Sequence, residues 1–119
     1  MNDRLTVALA QIAPVWLNRE KTLVKVCDYT AQAAEAGADL VVFGEALVPG
    51  YPFWPELTEG ARFDSPLQKE LFAHYAREAV DIGGGQLDGL CELSRQGGIA
   101  IYLGCIERAT ERSAHSLYA

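Results

Sequence analysis

The chain predicts an α/β fold, a reading that rests on three observations. Two short apolar runs, Leu5 to Ile12 and Leu40 to Phe43, lack the regular polar alternation of a strand with one wet face. Between them lies a segment whose apolar residues recur every three or four positions, so that strand, helix and strand fall within about forty residues, as in a βαβ unit. A third apolar run, Ile99 to Ile106, follows two more helical segments. The 119 residues, half of them hydrophobic, suit one compact domain or part of a larger one.

In the first strand Leu5, Val7 and Leu9 share one face, and Ala8, Ala10 and Ile12 fill the other, which predicts cover on both sides. Pro14 ends it. Asn18 is placed to cap a helix with Leu23, Cys27, Ala31 and Ala34 on its buried stripe, and Gly37 closes that helix. The strand Leu40 to Phe43 runs into Gly44-Glu45 and then the aromatic loop Val48 to Pro55. Ser65 caps the next helix, Pro66 takes its first position, and Gln68 is spaced to complete a capping box. That helix runs to about Val80, with Leu67, Leu71, Phe72, Tyr75 and Ala79 inward. Gly83-Gly84-Gly85 reads as a flexible hinge before a helix from Gln86 to Gln96, which carries Leu87, Leu90 and Cys91 inward and stops at Gly97-Gly98. Ser116 to Ala119 begins a further strand, so the chain reads as the amino-terminal portion, residues 1–119, of a larger sheet protein.

A net charge of −6, from 16 acidic and 10 basic residues scattered along the chain, offers no basic patch for a phosphate backbone, so no nucleic-acid partner is expected. No apolar run reaches bilayer length, and Leu5 to Ala10 is too short for a signal peptide, which makes a cytoplasmic protein without a membrane partner the expectation. Cys27, Cys91 and Cys105 are odd in number and widely spaced, as reduced, buried apolar residues rather than a disulfide framework or a zinc site. His74 and His115 lack ligands at metal spacing, so no metal is expected. The glycine triplet lacks a preceding strand and the fixed spacing of a phosphate cradle. Glu107 and Arg108 read as a surface ion pair.

Chemistry concentrates at Glu45. A carboxylate at the carboxyl end of a buried strand, beneath Tyr51, Phe53 and Trp54, is expected to lose water, and desolvation makes a carboxyl group a usable general base near neutral pH. The carboxyl ends of parallel strands are also where open α/β sheets form their ligand crevices. Tyr51 and Trp54 are the candidate substrate-binding residues.

Three stretches, Val7-Ala8-Leu9-Ala10-Gln11, Ala36 to Glu45, and Pro49-Gly50-Tyr51-Pro52, together resemble the nitrilase, or carbon-nitrogen hydrolase, superfamily. The resemblance covers almost the whole chain. Ile99 to Arg108 is similar to the family's third strand with its Glu-Arg exit, and Pro49 to Trp54 resembles the nitrilase branch rather than the amidases. The resemblance implies a four-layer αββα sandwich and a Glu-Lys-Cys triad that hydrolyses a small nitrile or amide without any cofactor, in a protein that is a homo-oligomer when complete. It puts Glu45 at the triad glutamate. The implied lysine and nucleophilic cysteine fall on later strands outside this chain. None of the three cysteines stands at a strand-to-helix elbow before Trp-Glu, and Lys21, Lys25 and Lys69 read as helix-surface residues. The chain alone is therefore expected to be inactive. An amidase or carbamoyl-amide hydrolase is the alternative enzyme, and a non-catalytic α/β module the alternative outside enzymes. A nucleotide-binding domain is disfavoured by the missing glycine fingerprint.

Overall fold

A computed structural model describes residues 3–109 and 117–119. Its elements run β1 (Val7–Ala10), α1 (Arg19–Glu35), β2 (Leu40–Phe43), α2 (Trp54–Leu57), α3 (Pro66–Glu78), α4 (Asp88–Gly97), β3 (Ala100–Tyr102), β4 (Glu107–Arg108) and β5 (Leu117–Tyr118). The first three strands form a parallel sheet in the order β1-β2-β3, and β4 and β5 make a separate antiparallel pair. This is the predicted α/β class. Ser116 and His115 lie outside the described residues.

Register decides which side chains share a face. Ala8, Val41 and Ile101 form one row, Ala10 and Phe43 another, and both rows pack against Val26 and Ala33 of α1 and Leu90 of α4. The intervening rows, Val7-Leu40-Ala100 and Leu9-Val42-Tyr102, point the other way. On that side Leu9 is 78% exposed and Tyr102 68% exposed. The expectation of a first strand covered on both sides is corrected: among the described residues, both α1 and α4 lie on one face of the sheet.

Helix α1 is capped as predicted, with Asn18 Oδ1 accepting from the Lys21 N–H at 3.0 Å. Its buried stripe is Thr22, Val26, Thr30 and Ala33, turned from the predicted line so that Leu23, Cys27 and Ala34 only flank it. Burial of Thr22 is possible because its hydroxyl lies 2.7 Å from the Asn18 carbonyl and 3.0 Å from that of Val15. In α3 the Ser65 cap forms, but Gln68 does not complete a capping box; its amide donates to the Thr58 carbonyl and hydroxyl. Tyr75 is the buried residue of that helix, and Leu67 and Phe72 are exposed. The glycine triplet sits in a hydrogen-bonded turn. Asp81 accepts from the Gly84 N–H, Gln86 Oε1 accepts from the Asp81 N–H, and α4 starts two residues later than predicted.

The third apolar run is a strand only over Ala100–Tyr102. After Leu103 and Gly104 the chain leaves the sheet, and Cys105 pairs by a single bridge with Val48 in the loop after β2. That departure creates a second core, in which Ala46, Trp54, Tyr75, Ala79 and Ile106 pack together with Leu17, Leu71 and Leu117 beside them.

Candidate active site

Glu45 lies two residues after β2, at the end of the sheet where β3 also stops. The turn Gly44 to Leu47 is closed by the Leu47 N–H donating to the Gly44 carbonyl at 3.4 Å. Ala46 takes a left-handed backbone with φ 51°, a conformation that costs an L-residue about 1 kcal/mol. Burial of its methyl group in the second core accompanies that strain. Glu45 is exposed beside Ala46, and both line a cleft of about 560 Å³ with Phe43, Tyr102, Leu103, Gly104, Cys105, Glu107, Tyr118 and Ala119.

The carboxylate does not occupy a dry recess beneath the aromatic loop, as the sequence led us to expect; Glu45 is exposed. The loop is drawn away by four hydrogen bonds. Val48 N–H donates to the Gly104 carbonyl, Leu17 N–H to Pro49, Trp16 Nε1 to Tyr51 at 2.9 Å, and Tyr75 Oη to Gly50 at 3.0 Å. The aromatic residues therefore cover the start of α1 and the side of α3, and none of them is among the cleft-lining residues.

The two aromatic candidates separate. Trp54 is 7% exposed, with its ring centroid 4.6 Å from that of Tyr75, so it is a packing residue of the second core and not a cleft wall. Tyr51 is 48% exposed and stacks at a tilt on Phe53 at 5.1 Å, which in turn lies 6.4 Å from Trp16. Burial, and then the neighbouring Tyr51, push the Tyr75 hydroxyl up to about 12.

The sequence reads Cys105 as a buried strand residue and Glu107, at a strand end near the active edge, as half of a surface ion pair; both share the cleft with Glu45. Burial and, second, the Glu107 carboxylate raise the Cys105 thiol above its usual pKa, which keeps it protonated at neutral pH and disfavours it as a nucleophile. Cys27 is raised by burial and then by Asp28. The expectation of three buried cysteines is corrected: Cys27 and Cys105 are half-buried and Cys91 is exposed, lining a shallow groove with Leu87, Leu90, Ile101 and Leu103. Nor do Glu107 and Arg108 pair with one another. Arg108 lies 3.8 Å from Asp81, leaving Glu107 in the cleft.

The lysines are placed elsewhere. Lys25 Nζ donates to the Ala13 carbonyl, Lys69 pairs with Asp64, and Lys21 is exposed on α1. His74 lies 3.1 Å from the Leu17 carbonyl. Among the described residues no three His, Cys, Asp or Glu side chains gather as a metal site, and no helix is long and apolar enough to cross a membrane.

The family model for carbon-nitrogen hydrolases matches residues 6–118. Similar proteins include a nitrilase 2 from an unknown prokaryotic organism, 34% identical over 106 residues that cover 87% of this chain and 31% of the relative. An arylacetonitrilase of Macrophomina phaseolina is 34% identical over 118 residues, 99% of this chain and 31% of the relative. An arylacetonitrilase of Aspergillus oryzae is 31% identical over 105 residues, 88% of this chain and 29% of the relative. The chain thus spans about a third of the length of these relatives. With a match that runs from the residue before β1 through β5, the chain belongs to the carbon-nitrogen hydrolase family.

Proposed function

We propose that residues 1–119 are the amino-terminal portion of one carbon-nitrogen hydrolase domain, a four-layer αββα sandwich when complete, that converts a nitrile to a carboxylic acid and ammonia. The observation that carries this reading is Glu45 at the carboxyl end of β2, opening into a cleft, within a chain whose relatives are nitrilases. In the implied triad Glu45 takes the proton of a cysteine thiol supplied by later residues. The thiolate forms a C–S bond as one π bond of the nitrile opens, and the proton taken by Glu45 passes to the nitrogen, giving a thioimidate. Water adds to that carbon, ammonia leaves, and a second water releases the acid from the thioester. A lysine, also from later residues, stabilises the charged tetrahedral species. Tyr51, the exposed member of the candidate pair, lies outside the described cleft and meets substrate in this reading only where the complete site extends towards its loop, and neither metal nor organic cofactor takes part. The complete protein is a cytoplasmic homo-oligomer, and the 119 residues alone are inactive.

The test is ammonia release by the full-length polypeptide on a panel of arylacetonitriles, aliphatic nitriles and the matching amides, with and without Glu45→Gln. Nitrile turnover is expected, falling by about 10²- to 10⁴-fold in the variant. Turnover of amides alone makes it an amidase. A folded full-length protein that releases no ammonia is the non-catalytic module, and a Glu45→Gln variant within about threefold of the parent removes Glu45 from the chemistry.

A further inference from the structure

We infer that Gly104 is a positioning residue for Glu45, setting the carboxylate's place by backbone contact; this rests on Glu45 acting as the acid-base group of the site. Gly104 follows β3 and lies against the turn after β2. A methyl group built on it stands 2.8 Å from Glu45 Cα and 2.8 Å from the Gly44 carbonyl carbon, and closer still to the Gly44 oxygen. Ordinary carbon contacts lie at about 3.5–4.0 Å. All three neighbours are backbone atoms, so none can swing aside as a side chain does.

The need at Gly104 is for space and not for an unusual backbone, because its φ is outside the left-handed region. Gly37 and Gly98 are the reverse case, with positive φ and open space where a Cβ would stand. Gly104 has little freedom to retreat. Its carbonyl accepts from the Val48 N–H at 3.3 Å, and two residues on Ile106 N–H donates to the Val48 carbonyl at 2.8 Å, so its strand segment is zipped to the chain that leaves the turn. The Gly44 oxygen that a methyl group would strike is also the acceptor that closes the turn presenting Glu45. The strain of Gly104→Ala is therefore relieved by moving Glu45, by a distance on the order of 1 Å, and a shift of that size in a reacting group costs up to about 100-fold in rate.

The experiment measures kcat and KM of the full-length enzyme on its best nitrile for Gly104→Ala, with Gly89→Ala as a control whose added methyl meets nothing within 4 Å, and with Glu45→Gln in parallel. Circular dichroism melts establish folding. The expected result is a folded Gly104→Ala protein with kcat lowered about 10- to 100-fold, KM within about threefold, and Gly89→Ala like the parent. A folded Gly104→Ala enzyme with parental kcat overturns the inference, as does a rise in KM at unchanged kcat. A variant that fails to fold overturns it too, because the strain is then not relieved at Glu45. Turnover by Glu45→Gln at the parental rate refutes the site itself, whereas an inactive Glu45→Gln beside a fully active Gly104→Ala refutes only the role of Gly104.

Discussion

Tyr75→Phe removes one oxygen atom and keeps the ring that packs on Trp54, so it isolates a single hydrogen bond. The Tyr75 side chain is 4% exposed, and its hydroxyl donates to the carbonyl of Gly50, itself buried. Gly50 has φ 136°, and a side chain there meets Trp16 Cδ1 at 2.6 Å. The bond thus holds a segment that glycine alone allows to pass beneath Trp16. Phenylalanine leaves the carbonyl buried without its donor, a loss of about 1–3 kcal/mol near neutral pH. Urea denaturation of the full-length polypeptide, followed by far-ultraviolet circular dichroism, measures it.

A second arm uses pH. In an unfolded chain tyrosine ionises near 10, whereas Tyr75 in the fold is pushed up to about 12 by burial and then by Tyr51. Between these values the unfolded chain has released the proton and the folded one still holds it, so stability falls as pH rises through that window and is unaffected below it. Two full units correspond to about 2.7 kcal/mol; solvent screening beside a surface loop reduces this to roughly 1–2 kcal/mol. Tyr75→Phe lacks this term, so the gap between parent and variant narrows from pH 10 towards 12. Equal stability at pH 7, or stability curves that stay parallel through pH 12, refute the reasoning.

The two buried threonines of α1 give a contrasting pair. Thr22→Val removes a hydroxyl bonded to the Val15 and Asn18 carbonyls and is expected to cost about 1 kcal/mol, whereas Thr30→Val removes a buried hydroxyl with no partner among the described residues and is expected to be neutral or stabilising; thermal melts of both variants check this. Residues 1–119 expressed alone are expected to associate through the face bearing Val7, Leu9 and Tyr102, eluting as a polydisperse species that binds a hydrophobic dye. A monodisperse monomer with a cooperative melt refutes that expectation.

What the sequence revealed follows from how local each signal is. The caps at Asn18 and Ser65 and the strand Leu40–Phe43 depend on a few adjacent residues and appear where expected. The sequence places the stripe of α1 one position off because threonine reads as polar, and only the fold shows that nearby carbonyls satisfy Thr22. The third strand is shorter than its apolar run for a similar reason. Leu103 to Ile106 is as apolar as Ala100–Tyr102, but its partner is Val48, in a loop more than fifty residues earlier. The glycine at 104 was the one local sign of that break. At the site, the position of Glu45 after β2 was legible; the separation of Tyr51 from Trp54 was not, because it depends on Tyr75 of α3 filling the space beside Trp54.

The exposure of Glu45 sharpens the chemical argument instead of removing it. General-base work by a carboxylate needs water to be excluded at the moment of proton transfer, so that its charge is compensated by fixed groups and not by solvent. In the described residues the cleft has walls only from the ends of β2 and β3 and from β4 and β5, and the sheet beside it is bare on the face of Leu9 and Tyr102. These two gaps adjoin, since Tyr102 belongs both to the cleft and to the bare face. On the proposed function, cover over that face is expected to reach the cleft mouth beside Glu45 as well. The described residues hold the Glu45 carboxylate at the cleft mouth, and in that reading its drying depends on cover over the adjoining bare face.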